Sequence, residues 1–248
     1  MERGNFIITG TSKGIGEQLA SMLLDRGHYV YGIARGSSEA LRSYSNYTHR
    51  TFDLSEIKAI DSLIEEIVNG VNINDSEIIC LVNNAAVLEP LKPIERCTPV
   101  EIQQHLQVSL MAPMILTSSF IRCTEHMDIR RKIMNLSSGS GTHPAPGMSV
   151  YCTAKAGINM FTECLGLEQS SRSRPVEIIA VDPGMVETEL QAAARGKDEQ
   201  EFGMAKLFKQ AHESGQIQST EELGRHLLRI IEDEIAPGRL VNYAEYGR

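Results

Sequence analysis

Asn5-Phe6-Ile7-Ile8-Thr9-Gly10-Thr11-Ser12-Lys13-Gly14-Ile15-Gly16 is the stretch on which the fold turns. Its first part, Asn5–Thr9, reads as a short apolar strand. Its second part places glycines 10, 14 and 16 at the junction with a helical pattern that runs from about Ile15 to Asp25. Such a turn lets a backbone approach a diphosphate, and the helix N-terminus behind it supplies free N–H donors and positive partial charge. The spacing is G-x-x-x-G-x-G, not the common G-x-G-x-x-G. An ordinary glycine-rich turn is the alternative, and the surroundings have to decide between the two.

Outward from this turn, apolar runs of strand length alternate with longer helical patterns. Tyr29–Ala34 reads as a second strand, a third is expected near His49–Phe52, and Glu56–Asn69 carries helical periodicity. Glu77–Val82 (EIICLV) is almost continuously apolar, as a strand buried on both faces of a parallel sheet must be. A long helix is predicted from Pro99 to about Cys123, then a strand over Arg131–Leu136, a helix over Val150–Ser170 and a strand over Val176–Val181. Thr220–Glu232 reads as a helix and Arg239–Tyr243 as a last strand. This alternation implies an α/β chain: a single-domain, doubly wound Rossmann fold with a mostly parallel sheet over residues 1–248. Residues 197–215 are polar and poorly patterned for a core, which makes them the candidate substrate lid.

Composition narrows the function. Hydrophobic residues make up 42% and charged residues 23%, enough for a substantial core. A net charge of −8 argues against a nucleic-acid partner, which would call for a basic surface. No window is read as reaching the length of a membrane span, and no membrane partner is expected. The five cysteines include no CxxC pair, which suits reduced thiols in a cytoplasmic protein. His28, His49, His105 and His126 show no metal-ligand spacing, and no metal site is expected.

Two features specify a cofactor and a chemistry. Enzymes that bind NAD usually carry an acidic residue at the end of the second strand. Here that position reads Ile33-Ala34-Arg35-Gly36. Arg35, with Lys13 in the glycine turn, could meet a 2′-phosphate, which favours NADP(H); solvated surface charges are the alternative. Tyr151 and Lys155 lie four residues apart on one predicted helix face, where a cation can favour the phenolate and make the phenol a better acid.

The chain resembles the short-chain dehydrogenase/reductase family from Thr9 to Thr188. The resemblance rests on the TGTSKGIG turn, Asp53-Leu54, Asn83-Asn84-Ala85-Ala86, the Ser138…Tyr151…Lys155 set, and Pro183-Gly184 followed by Thr188. It implies that Tyr151 donates a proton to a carbonyl oxygen as hydride arrives. Lys155 would lower the tyrosine pKa and hold the nicotinamide ribose, and Ser138 would hydrogen-bond the substrate oxygen. It further implies a cofactor path along Gly10, Ser12, Lys13, Gly14, Ile15, Gly16 and Arg35. Asp53 and Leu54 would flank the adenine, followed by Asn83, Ala85, Pro183, Gly184, Val186 and Thr188. A homodimer or homotetramer, joined through the helices at 99–123 and 150–170, is also implied.

Two departures from the family pattern stand out. Ala86 replaces the usual glycine, and Ser109 falls where an asparagine often completes a catalytic tetrad. Within the family, Thr11-Ser12-Lys13, Arg35 and the segment Pro183–Gln191 look most like sepiapterin reductase and its bacterial relatives that reduce aromatic diketones such as benzil. Asn242 stands where the pterin reductases carry an acid, which favours a diketone or related carbonyl substrate. Ser140, His143, Met148, Met185 and Leu190 are the candidate pocket wall, with core packing as the alternative for both methionines. The rival readings are sepiapterin reductase, a 3-oxoacyl thioester reductase and a non-catalytic NADP(H)-binding regulator.

Overall fold

The computed structural model describes residues 3–73 and 76–246. In chain order the elements are β1 (Gly4–Thr9), α1 (Gly14–Asp25), β2 (Tyr29–Ala34), α2 (Glu39–Arg42), β3 (Tyr47–Thr51), α3 (Ile60–Asn69) and β4 (Ile78–Asn83). There follow α4 (Pro99–Leu106), a π turn (Gln107–Met111), α5 (Ala112–Thr124), β5 (Arg130–Leu136), α6 (Ser149–Ser170) and β6 (Glu177–Asp182). The chain ends with α7 (Glu189–Arg195), α8 (Ala205–Glu213), α9 (Thr220–Glu232) and β7 (Arg239–Asn242).

The strands form one seven-stranded sheet in the order β3-β2-β1-β4-β5-β6-β7. Every pairing is parallel. Alternation along β1 divides the core into two layers, as a pleated strand requires. Phe6 and Ile8 join Leu19 and Leu23 of α1 and Leu223 and Leu227 of α9 on one face. Ile7 joins Ile64 of α3 and Leu116 and Phe120 of α5 on the other. The chain leaves β1 outward in both directions, so the switch point lies between β1 and β4. A ligand crevice belongs there, outside the carboxyl ends of the strands.

Local chemistry sets the helix ends. Thr98 and Glu101 form a reciprocal capping box with Pro99 at the first position of α4, and Ser219 with Glu222 does the same for α9. At the far end of α9 the fully buried Lys132 of β5 donates to the carbonyls of Ile230 and Asp233, both at 2.7 Å. A buried ammonium thus answers the unpaired carbonyls of a helix C-terminus and joins α9 to the sheet.

Three sequence expectations are corrected. The third strand begins at Tyr47, earlier than its pattern suggests, because this edge strand is only partly buried and has no apolar run. The helical run Pro99–Thr124 does reach the length and apolarity of a membrane span, with mean hydropathy 1.3. Part of its apolar surface packs on the sheet side: Ala112, Leu116 and Phe120 are fully buried. Residues 197–215 contribute to a core after all. Phe202 and Ala205 are fully buried in a satellite cluster with Leu91, Met148 and Ala194.

Candidate active site

The glycine turn closes the carboxyl end of β1. Gly10 N donates to Ile33 O at 2.8 Å, which ties the turn to β2. A Cβ on Gly16 would come within 2.4 Å of Gly10 O, so only glycine permits this close return of the chain. Gly14 opens α1 with φ of +65°, and its missing side chain faces Thr188 across the crevice. The N-cap residue, Lys13, makes no side-chain cap. The first N–H groups of a 12-residue helix therefore point into a glycine-lined cradle without a side-chain acceptor, which suits a diphosphate.

The neighbouring strand ends complete this wall. Thr9 Oγ1 accepts from the backbone N–H groups of Asn84 and Ala85, both at 3.0 Å. The amide of Asn84 donates to Thr9 O at 2.8 Å and braces the glycine turn, a role that the sequence reading did not single out. Asn83 behaves otherwise. Its side chain donates to Asn135 Oδ1 at 2.8 Å and to Thr117 Oγ1 at 3.2 Å inside the sheet layer. That side chain is a bracket between β4 and β5. Leu54 is buried within the α3-side core.

The cations have acidic neighbours. Arg35 Nη1 lies 3.9 Å from Asp53 Oδ2. The backbone N–H of Ser55, foremost, holds the Asp53 carboxyl below its ordinary range, with Arg35 adding to the effect. Lys13 pairs with Glu189 across the crevice. Ser12 lies beside Gly36, next to Arg35. Both cations are exposed, so these pairs are readily exchanged for a stronger anion. On the opposite wall Gly184 N donates to Asp182 Oδ1 at 3.0 Å, and Val186 is buried. Thr188 caps α7 by accepting from Gln191 N at 3.3 Å. Ile15 packs its side chain on the α1-side core.

The proton-handling groups converge at the ends of β5 and β6. The Ser138 side chain acts on the Tyr151 phenol, and Lys155 Nζ sits 5.7 Å from the centre of the Tyr151 ring. Lys155 is buried and donates to Leu136 O at 2.7 Å. Burial pushes the Lys155 ammonium down to about 8. The Tyr151 phenol is pushed up to about 12 by burial, against the opposing Ser138 hydrogen bond and with help from the Asp182 carboxylate. At Tyr151 the loss of hydration outweighs the Ser138 contribution.

Ser109 is buried in the π turn, and its hydroxyl accepts from Val87 N at 3.2 Å. It fastens the loop after β4 to the helix. Ser140 N donates to Ser138 Oγ at 3.1 Å and orients that hydroxyl. Met148 is buried in the satellite cluster against which Tyr151, Leu88 and Phe208 pack, so it is wall and core at once. Met185 is half-buried and Leu190 is 39% exposed. His143 is exposed, with Nδ1 engaged by Thr142 Oγ1 at 2.9 Å.

A cavity of about 170 Å³ opens beside Ser138, lined also by Asp182 and Asn242. Asp182 was not foreseen; it follows the last apolar residue of β6, a position at which nearly any residue type ends a strand. A larger cleft of about 540 Å³, around Arg130, Arg131 and Glu177, lies at the amino ends of the strands, on the wrong side of the sheet for this chemistry.

Comparison with known proteins agrees with this geometry. The family model described as short chain dehydrogenase matches residues 5–199. Benzil reductase ((S)-benzoin forming) from Bacillus cereus is 34% identical over 236 residues, covering 93% of this chain and 95% of that protein. Its namesake from Bacillus subtilis (strain 168) is 30% identical over 241 residues, covering 97% and 98%. Among solved structures, the KRED1-Pglu enzyme superposes with a TM-score of 0.81 at 25% identity, covering 96% of this chain and 100% of that one.

Proposed function

The chain belongs to the short-chain dehydrogenase family, and on that premise we propose that it reduces a small carbonyl compound with NADPH, an aromatic diketone such as benzil or a related ketone, to the alcohol. The observation that carries this reading is the Lys155 ammonium over the Tyr151 ring, with the Ser138 side chain acting on the same phenol and the diphosphate cradle on the same sheet edge. The bound nicotinamide would supply the hydride. The chain's own residues do the rest. Ser138 holds the substrate oxygen beside Tyr151, Tyr151 releases its proton to that oxygen, and Lys155 stabilises the charge left on the phenolate. Desolvation by the cluster of Met148, Phe202 and Phe208 strengthens each of these interactions. Residues 197–215 are the lid in this reading, with Phe202 as its anchor.

The preference for NADPH rests on Arg35 and Lys13, because no carboxylate ends β2. Arg35→Ser is expected to raise KM for NADPH roughly 10- to 100-fold, the worth of a charge-assisted phosphate contact, and to leave KM for NADH nearly unchanged. Steady-state oxidation of both cofactors measures this; equal effects on both would reject a 2′-phosphate site. The substrate class is tested with benzil, sepiapterin and a 3-oxoacyl thioester under NADPH. Turnover of benzil far above the other two is the expected outcome. Tight NADPH binding with no turnover across a broad carbonyl panel would leave a regulator.

A homodimer or homotetramer belongs to the same proposal. Val100, Met111 and Met114 on the helical run 99–124, with Met160 at 60% and Leu167 at 76% exposure on α6, leave apolar surface uncovered. Light scattering should find the Met160→Lys, Leu167→Lys double variant dissociated toward monomer. An assembly unchanged from wild type would exclude α6 as the interface. The five unpaired cysteines suit a reducing, cytoplasmic setting.

A further inference from the structure

Gly32 stands in the interior of β2, where a glycine weakens a strand and marks a close approach by another group. The groups that approach are two hydroxyls. A Cβ on Gly32 would come within 2.3 Å of the Tyr47 hydroxyl and 2.4 Å of Thr11 Oγ1. The space that a side chain would fill holds the hydrogen bond between them, at 3.1 Å. Tyr47 opens β3, the edge strand, and Thr11 belongs to the glycine turn after β1. Since β2 lies between β1 and β3 in the sheet, this bond reaches over the whole width of a strand to join residues 36 apart.

Both ends of the bond are held. Tyr47 and His49, two residues apart, share a face of β3, and the Tyr47 hydroxyl also shares a hydrogen bond with His49 Nδ1 at 3.3 Å. The Tyr47 ring packs on the α1-side core. Burial, opposed by the Thr11 hydrogen bond, keeps the Tyr47 phenol above its ordinary value, so its proton stays available. Thr11 is fully buried, and water has no access to replace Tyr47 as its partner. The residue before it, Gly10, donates its N–H to Ile33 O, next to Gly32. The glycine turn is therefore tied to β2 by a backbone bond and to β3 by a side-chain bond, at adjacent residues. A cradle of backbone N–H groups binds an anion best when it is fixed before the anion arrives, because ordering it on binding costs affinity.

We propose that Tyr47 is a positioning residue for the dinucleotide: through Thr11 it holds the glycine turn in the shape that receives the diphosphate, and so supports NADPH and NADH alike. The proposal rests on the dinucleotide-binding half of the functional reading and deepens it. Arg35 answers the group that distinguishes the two cofactors, whereas Tyr47 acts on the part they share.

Calorimetric titration with NADPH and with NADH tests this. Tyr47→Phe keeps the ring and removes the hydroxyl. It is expected to weaken both cofactors by the same factor, roughly 3- to 10-fold, the worth of one hydrogen bond and of the buried hydroxyl left stranded. Thr11→Val should do the same, and Thr11→Ser, which keeps the hydroxyl, should restore binding. The Tyr47→Phe, Thr11→Val pair should lose no more than either single change, because all three break one bond. Wild-type affinity in Tyr47→Phe, a loss confined to NADPH, or losses that multiply in the pair would each overturn the proposal. Hydrogen exchange of the cofactor-free protein needs no ligand. Amides of residues 10–16 should exchange several-fold faster in Tyr47→Phe, with those of α9 at the wild-type rate. Unchanged exchange in the turn, or equal acceleration in the turn and α9, also overturns it and leaves Tyr47 as packing. If the wild type binds neither cofactor, the functional reading fails and the exchange rates alone decide Tyr47. Should Tyr47→Phe not fold, Thr11→Val against Thr11→Ser decides on the same two readouts.

Discussion

Tyr151→Phe is expected to lower kcat for carbonyl reduction roughly 1000-fold, the scale of a lost general acid, while NADPH affinity stays at the wild-type value. Phenylalanine keeps the edge contact with His105 and the packing against the satellite cluster, so the fold has no reason to change. What disappears is the hydroxyl that Ser138 orients. Because burial pushes the phenol up to about 12, wild-type Tyr151 is protonated throughout the neutral range. The rate of reduction should therefore be flat at neutral pH. It should fall as pH rises past about 8, where the Lys155 ammonium loses its charge. Steady-state rates across pH, with NADPH fluorescence for binding, measure both points. A Tyr151→Phe variant with more than a tenth of wild-type turnover would place the acid elsewhere.

Lys155→Met should abolish most activity and yet make the protein more stable. The folded-state value of about 8 lies below the ordinary lysine value of 10.5, so for this group stability is fully present above 10.5 and is lost as pH falls through about 8. At pH 7 the folded protein must keep a charge in a dry site. Methionine removes that requirement at similar length, though it strands the Leu136 carbonyl, which offsets roughly 1 kcal/mol of the gain. The net expectation is about 1–2 kcal/mol of added stability at pH 7, shrinking toward zero above pH 10.5. Turnover should drop by roughly two to four orders of magnitude. Denaturant unfolding at neutral and alkaline pH checks the sign. A variant less stable than wild type at pH 7 would mean that the ammonium has more partners than Leu136. A functional group that weakens the fold is the pattern expected where activity needs a destabilised site.

How far the site could be read before folding depended on range. The Tyr151–Lys155 relation is four residues long, and helical geometry alone puts both on one face. The glycine turn is equally local. The Lys13–Glu189 pair joins residues 176 apart, and no pattern in either segment announces it. The Ser138…Tyr151 set was legible only through the family resemblance, because their approach depends on how α6 meets the end of β5. Phe202 sits in a polar stretch whose average composition hides the one aromatic that the core takes up. His105, which has no metal-ligand spacing in the sequence, is positioned by a loop carbonyl sixteen residues earlier.

Periodicity and turn chemistry alone determined the main strand–helix alternation, the glycine turn and the placing of phenol and amine on one helix face, though not the short helices α2, α7 and α8, because each is a matter of neighbours along the chain. Tertiary structure alone decided how dry the site is. Packing raises the phenol pKa of Tyr151 by burial, brings the Asn83 amide to Asn135 and leaves His105 Nε2 without a hydrogen-bond partner among the described residues. The physical reason is that desolvation sums over every group packed around an atom, and those groups come from α4, α6, the loop after β4 and the 197–215 segment together.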